Sequence, residues 1–236
     1  MSELDSGNSD QVYQMKAHVY HLHNVWRRFL ISKDSSLEEL RRTVLCLFSF
    51  REDFPYLLRY GEVRYSEDWE GGGKGEALEE VDLATVPLRE AVEVIKAEKT
   101  HAKKYIIYRH ESPSHVHMMD DDLFNIDADD EDFDDYANWS IAISYEVEQP
   151  VEENGQYPFC LAGGRASPPG EIFNYADYQW LINELKRMGR SKLTDALKRA
   201  DDPDYNRFVP LLESGFDPDL FDIDSVNRCL AGIGKK

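Results

Sequence analysis

Cysteine is scarce: three residues in 236, Cys46, Cys160 and Cys229. So sparse and odd a set is no framework for a disulfide-stapled secreted domain, and free thiols in a reducing cytosol are expected. Long apolar runs are missing as well. No stretch reaches the roughly 18–20 residues a membrane helix needs. The polar opening MSELDSGNSD lacks the apolar centre of a signal peptide. These absences lead to the expectation of a cytoplasmic protein without a membrane contact. Positive charge is in deficit, with 27 Lys+Arg against 46 Asp+Glu, a net charge of −19 and a pI near 4.7. Phosphate backbones repel such a chain, so direct binding of nucleic acid would need a local basic patch.

Signatures of chemistry are also few. There is no G-x-S-x-G, H-E-x-x-H or C-x-x-C. The glycine-rich GGGKG at 71–75 lacks the hydroxyl residue that follows the lysine of a phosphate loop, since Gly75 and Glu76 come next. It reads as a surface loop. Carboxylates are so abundant that an acid–base pair among them carries no information.

What is present is ample core material: 42% hydrophobic and 12% aromatic residues exclude a wholly disordered chain. Residues 1–14 read as a disordered start. Strands are expected at 15–21 and 26–31. A helix capped by Ser35 or Ser36 follows through Phe48, with Leu37, Leu40, Val44, Leu45, Leu47 and Phe48 as its apolar stripe. Short strands at 56–60 and 62–65, a helix over 88–95, and strands at 103–108 and 139–147 come next. Residues 157–170 read as rigid, turn-rich chain. Beyond them lie helices from Asn174 to Met188, from Ser191, over 208–212, and after Asp222 or Asp224. The expected fold is α+β: a mixed β-sheet with a packed helix, β-grasp-like in its N-terminal order, then a C-terminal helical segment. The expected division is an α+β domain over 15–170, with an acidic insertion at about 111–135, and a helical region over 171–236 packed on it.

That insertion is the most unusual stretch. DDDLFNIDADDEDFDD, residues 120–135, holds ten acids in sixteen residues and no base. Its apolar residues Leu123, Phe124, Ile126 and Phe133 suit a segment that docks on a basic partner. A calcium loop starting at Asp127 fails, with Asp132 where glycine belongs and Asn138 where glutamate belongs. Candidate partner-binding residues are Asp120, Asp121, Asp122, Phe124, Asp127, Asp129, Asp130, Glu131, Asp132, Phe133, Asp134 and Asp135. Histidines cluster twice, as His18, His21 and His23 and as His110, His115 and His117; the second set, with the acidic run, is the candidate metal site. Trp26, Arg27, Arg28, Arg41 and Arg42 form the candidate basic patch for DNA.

Three segments together resemble a known family. VYHLHNVWRRFLISKDSSLEELRRTVLCLF matches its N-terminal strand, Trp-Arg-Arg strand and helix. YPFCLAGGRASPPGE matches its Tyr-Pro-x-Cys-Leu-Ala-Gly-x-Arg-Ala-x-Pro-Pro block, and SGFDPDLFDIDSVNRCL its Phe-Asp-Pro … Phe-Asp … Val-Asn signature. By these segments the chain resembles the plasmid pRiA4b open-reading-frame-three-like group, which includes the TnpR passenger proteins of some insertion sequences. The resemblance spans roughly residues 16–230 and implies an α+β fold carried by plasmids and mobile elements, with no settled activity. A resolvase reading does not carry over, because no recombinase nucleophile arrangement is present. The chain also departs from the pattern. DDYANWSI keeps Trp139 but has Tyr136, Ala137, Asn138 and Ile141 where Gly, Asp, Asp and His are usual. Ser167 stands in the Cys-Pro-Pro step, and Pro55 or a neighbour where a histidine is often found. A polar site made of those residues in relatives would be mostly lost here.

The expected function is therefore non-catalytic: an acidic binding protein of a plasmid or mobile element, without cofactor, that docks on a basic nucleic-acid-handling protein. A DNA-mimic inhibitor of a defence nuclease is one concrete form. The alternatives are a divalent-metal-binding protein or enzyme and a DNA-binding regulator.

Overall fold

A computed structural model describes residues 11–52, 56–61, 63–66, 82–99, 104–110, 139–153, 155–170, 172, 175–200 and 202–233. Its centre is a seven-stranded sheet in the order β4-β3-β5-β6-β1-β2-β7. The strands are β1 (Gln11–Val19), β2 (Leu22–Ser32), β3 (Tyr56–Tyr60), β4 (Val63–Ser66), β5 (Ile106–His110), β6 (Trp139–Pro150) and β7 (Phe159–Gly164). The expected α+β class holds. Every neighbouring pair runs antiparallel, where the sequence left the sheet mixed. Antiparallel neighbours need only hairpins or simple returns, whereas a parallel pair needs a crossover.

Alternation decides which side of the sheet is covered. In β1, Met15, Ala17 and Val19 are buried, while Gln14, Lys16 and His18 are less so. In β2, Val25, Arg27, Phe29 and Ile31 take the covered side. Onto it packs α1 (Leu37–Phe48), which begins with a capping box: Ser36 Oγ accepts from Glu39 N at 3.2 Å, and Glu39 accepts from Ser36 N at 2.9 Å. A 3₁₀ turn (Leu83–Thr85) leads into α2 (Leu88–Ala97). The starts of α1 and α2 are joined where Leu37 N donates to Val86 O (2.9 Å) and Leu88 N to Ser35 O (2.8 Å).

The later helices are α3 (Tyr175–Met188), α4 (Arg190–Ala200), the short α5 (Pro203–Asn206) and α6 (Phe208–Glu213), and α7 (Ile223–Leu230), which is capped by Asp222. Tyr178, Leu181, Phe208 and Leu230 share one hydrophobic cluster with Met15, Phe29, Leu40 and Ile141 of the sheet and α1. No helix among the described residues is long and apolar enough to cross a membrane.

Three sequence expectations are corrected. Gln11–Gln14, assigned to the disordered start, are the first residues of β1, held by pairing with β2 and β6. Residues 159–164, expected as turn-rich chain, form β7, because the register with β2 supplies bonds that the local Gly and Pro content does not foretell. Cys46 and Cys229 are joined in a disulfide that links α1 to α7, with Cα atoms 5.6 Å apart. Only Cys160 is free, and it is buried. Cysteine usage therefore no longer argues for a reducing compartment. The GGGKG segment lies outside the described residues.

The disulfide closes a loop across 183 residues of sequence. Chain entropy alone assigns such a closure about 5 kcal/mol, and measured bridges commonly deliver 2–4 kcal/mol. Cys46→Ser, or reduction with dithiothreitol, is expected to lower the melting temperature by about 5–10 °C, read by circular dichroism. An unchanged melting temperature would remove the bridge from the account.

Candidate functional site

Arg27 is drawn into the covered side of the sheet by its place in β2, between Val25 and Phe29. Its side chain is almost wholly buried, at 1% exposure. Nε donates to Leu47 O at 3.0 Å, and Nη1 donates to Trp26 O and Gly164 O, each at 2.8 Å. Nη2 donates to Ser167 Oγ at 2.8 Å. The guanidinium lies 4.0 Å from the ring centre of Phe221 and 5.2 Å from that of Phe48. One N–H of the five remains unassigned. Among the described residues no carboxylate pairs with it. Burial draws its pKa down to about 10, opposed by Cys160 and Tyr178, so it stays charged at neutral pH.

Above this cation opens a cleft of about 870 Å³, within the range of small-molecule sites. One wall is the end of α1, with Arg42, Leu45, Cys46 and Phe50. Another is the turn Ala166–Gly170. The remaining wall runs from Phe216 through Leu220 and Phe221 into α7 at Ser225, Val226 and Cys229. The disulfide thus borders the cleft.

The walls are locked to one another. Ala166 N donates to Pro218 O at 3.1 Å, and Arg165 pairs with Asp219 at 3.2 Å. Asn227 of α7 faces β7 with both ends of its amide: Cys160 N donates to Asn227 Oδ1 (2.7 Å), and Asn227 Nδ2 donates to Cys160 O (3.1 Å). Phe221 lies so close to Gly163 that a Cβ there would sit 2.4 Å from its ring. The cleft is therefore built from the Trp-Arg-Arg strand, the Arg-Ala-Ser-Pro-Pro turn and the Phe-Asp-Pro to Val-Asn stretch, three segments remote in sequence.

Those are the segments that carried the family resemblance, and the pattern of the plasmid pRiA4b ORF-3-like proteins matches residues 11–225. The chain belongs to this family. A solved structure, protein of unknown function MM3350 from Methanosarcina mazei Go1, is similar with a TM-score of 0.58 and 16% identity, covering 92% of this chain and 98% of that one. At this identity the likeness shows the fold. No curated protein matches the chain.

Other residues singled out from the sequence are dispersed. The acidic candidates from Asp120 to Asp135, together with His115 and His117, lie outside the described residues. His110 ends β5 opposite Trp139, and its side chain lies outside them too. No group of three or more potential metal ligands occurs among the described residues. The basic patch is taken apart by the sheet. Arg27 points inward, and Arg28 points to the other side, where Nε and Nη2 bind Glu146 at 2.7 and 2.8 Å. Arg41 is held by Glu38 (2.7 Å), and Arg42 lines the cleft together with the buried Arg27. Burial pushes the Cys160 thiol up to about 11, with Arg27 opposing, so it is no thiolate nucleophile at neutral pH. His18 and His23 have ring centres 5.1 Å apart, and Tyr105 meets His18 edge-on at 6.0 Å. Burial, then His23 and Lys16, hold the His18 imidazole down to about 4.

The sequence reasoning missed Arg27 as a buried hub and missed Ser167 as its partner. The available signal was that both lie inside the blocks that carry the resemblance.

Removing the hub is expected to be costly. Arg27→Leu and Arg27→Lys should each destabilise the fold by about 3 kcal/mol or more, since buried carbonyls lose their donors. Arg28→Ala, at a half-exposed pair, should cost under about 1 kcal/mol. Urea unfolding of the three variants checks the contrast. For His18, the unfolded imidazole takes up a proton near pH 6.5, whereas the folded one does so only near 4. Stability is thus complete above about pH 6.5 and declines as the pH falls toward 4. His18→Gln is expected to remove about 1–2 kcal/mol of that decline, discounted for partial exposure, in melting temperatures recorded against pH.

Proposed function

We propose that the protein is a non-catalytic acidic binding protein of a plasmid or mobile element, docking on a basic protein that handles nucleic acid. The observation that supports this is where the charge-dense connections join the sheet. Tyr56, His110 and Trp139 are neighbours across three strands, and Leu57 pairs with Ser66. The chain therefore departs from β4 and from β5, and returns into β6, at one and the same end of the sheet. The connection 111–138 carries eleven acids and no lysine or arginine, and 67–81 carries six acids and one lysine. These two stretches account for most of the net charge of −19, and the remainder of the chain is close to neutral. Charge concentrated in connections that leave the sheet at a common end attracts a basic surface from a distance, orients it, and gives fast, salt-sensitive association. Spaced carboxylates also imitate a phosphate backbone, which supports the finer reading of a DNA mimic that inhibits a defence nuclease.

Direct DNA binding is supported less. Arg28 is neutralised by Glu146 and Arg27 is buried, so the patch that reading needs is not assembled.

The test is capture of partners from the native host on the immobilised protein at low and high salt. The wild type is compared with a variant whose ten carboxylates in 120–135 are changed to amides. Basic nucleic-acid-binding proteins are expected to be retained at low salt, released at high salt, and lost with the amide variant. Equal retention by both forms, or retention that salt does not weaken, would overturn the proposal.

A further inference from the structure

The cleft above Arg27 holds donors that no described residue uses. Ser167 Oγ accepts from Arg27 Nη2, and its own hydroxyl proton has no acceptor among the described residues. A hydroxyl polarised by a neighbouring guanidinium is a strengthened donor. Arg42 lines the same cleft and makes no hydrogen bond or ion pair with any described residue. The nearby carboxylates are already engaged: Asp217 accepts from Asp219 N (3.0 Å), Asp222 caps α7 through Ser225 N (2.9 Å), and Glu52 turns to Arg41 (3.6 Å). The rest of the lining is apolar, including Leu45, Phe50, Pro168 and Leu220.

We infer that this cleft binds a small carboxylate with an apolar body, its anionic end on the Ser167 hydroxyl and the Arg42 guanidinium. A ligand anion there also gives the buried Arg27 the negative partner it lacks among the described residues. The same geometry sets the ligand's charge. Asp217 and Asp222 stand in the wall with their charge, and they oppose a dianion about twice as strongly as a monoanion, so a phosphate is disfavoured against a monoanion. The apolar lining takes an aliphatic or aromatic body. The cleft residues used above come from outside 67–81 and 111–138, so success or failure here leaves the docking proposal untouched.

Calorimetric titration of the full chain tests this with sodium octanoate, with octan-1-ol and with inorganic phosphate. Octanoate is expected to bind one to one, and phosphate and octanol at least tenfold more weakly. Ser167→Ala and Arg42→Gln should each weaken octanoate about tenfold, the loss expected for one charge-assisted hydrogen bond. Arg42 makes no hydrogen bond or ion pair with a described residue, so Arg42→Gln should keep the wild-type melting temperature and separate ligand binding from folding. Equal binding of octanol would reduce the cleft to an apolar hole and overturn the inference. So would stronger binding of phosphate, octanoate affinity unchanged in Arg42→Gln, or no octanoate binding at all.

Discussion

A buried guanidinium organises this fold. Taking a cation out of water is costly unless its donors are met, and Arg27 meets that demand with three backbone carbonyls, one hydroxyl and two aromatic faces. Apart from the neighbouring Trp26, those partners come from four parts of the chain: the end of α1 (Leu47 and Phe48), the end of β7, the turn that follows it, and the stretch leading into α7. The arginine therefore fixes where the helical segments end relative to the sheet. A lysine has one compact charge and could not serve four directions at once. The cleft exists because the elements converge on this point and stop short of one another.

The charge is unevenly divided along the chain. The described sheet carries local pairs such as Arg28–Glu146 and Lys33–Glu148 on its open side. Most of the negative surplus belongs to residues 67–81 and 111–138, outside the described residues. In the cleft, Arg27 and Arg42 share the lining with Glu52, Asp217 and Asp222. The proposed attraction of a large basic partner and the proposed recognition of a small anion draw on different residues, each acting over a different range.

Much of the architecture was legible in the sequence, and the reasons are local. Ser35 or Ser36 announced the start of α1, Asp222 or Asp224 that of α7, and the alternation of Ile141, Ile143 and Tyr145 announced β6. Those signals depend on residues a few positions apart. The failures all involve distance along the chain. β7 reads as a turn until β2 is laid beside it. Cys46 and Cys229 look unpaired until α7 folds back over α1. In WRR the two arginines look alike, yet the pleat sends Arg27 inward and Arg28 outward. Membership of the pRiA4b ORF-3-like family was readable because its blocks are long, but the blocks alone did not say that they meet around a single cation.

The paired hydrogen bonds between Asn227 and Cys160 reach beyond the cleft they help to shape. β7 is the last strand of the sheet, and its outward backbone groups are a template on which a second chain could polymerise. One side-chain amide occupies that template at Cys160, the second residue of the strand. At the opposite margin β4 offers only four residues. Protection from amyloid-like growth is therefore tied to the seating of α7, so a lesion that unseats this helix endangers solubility as well as shape.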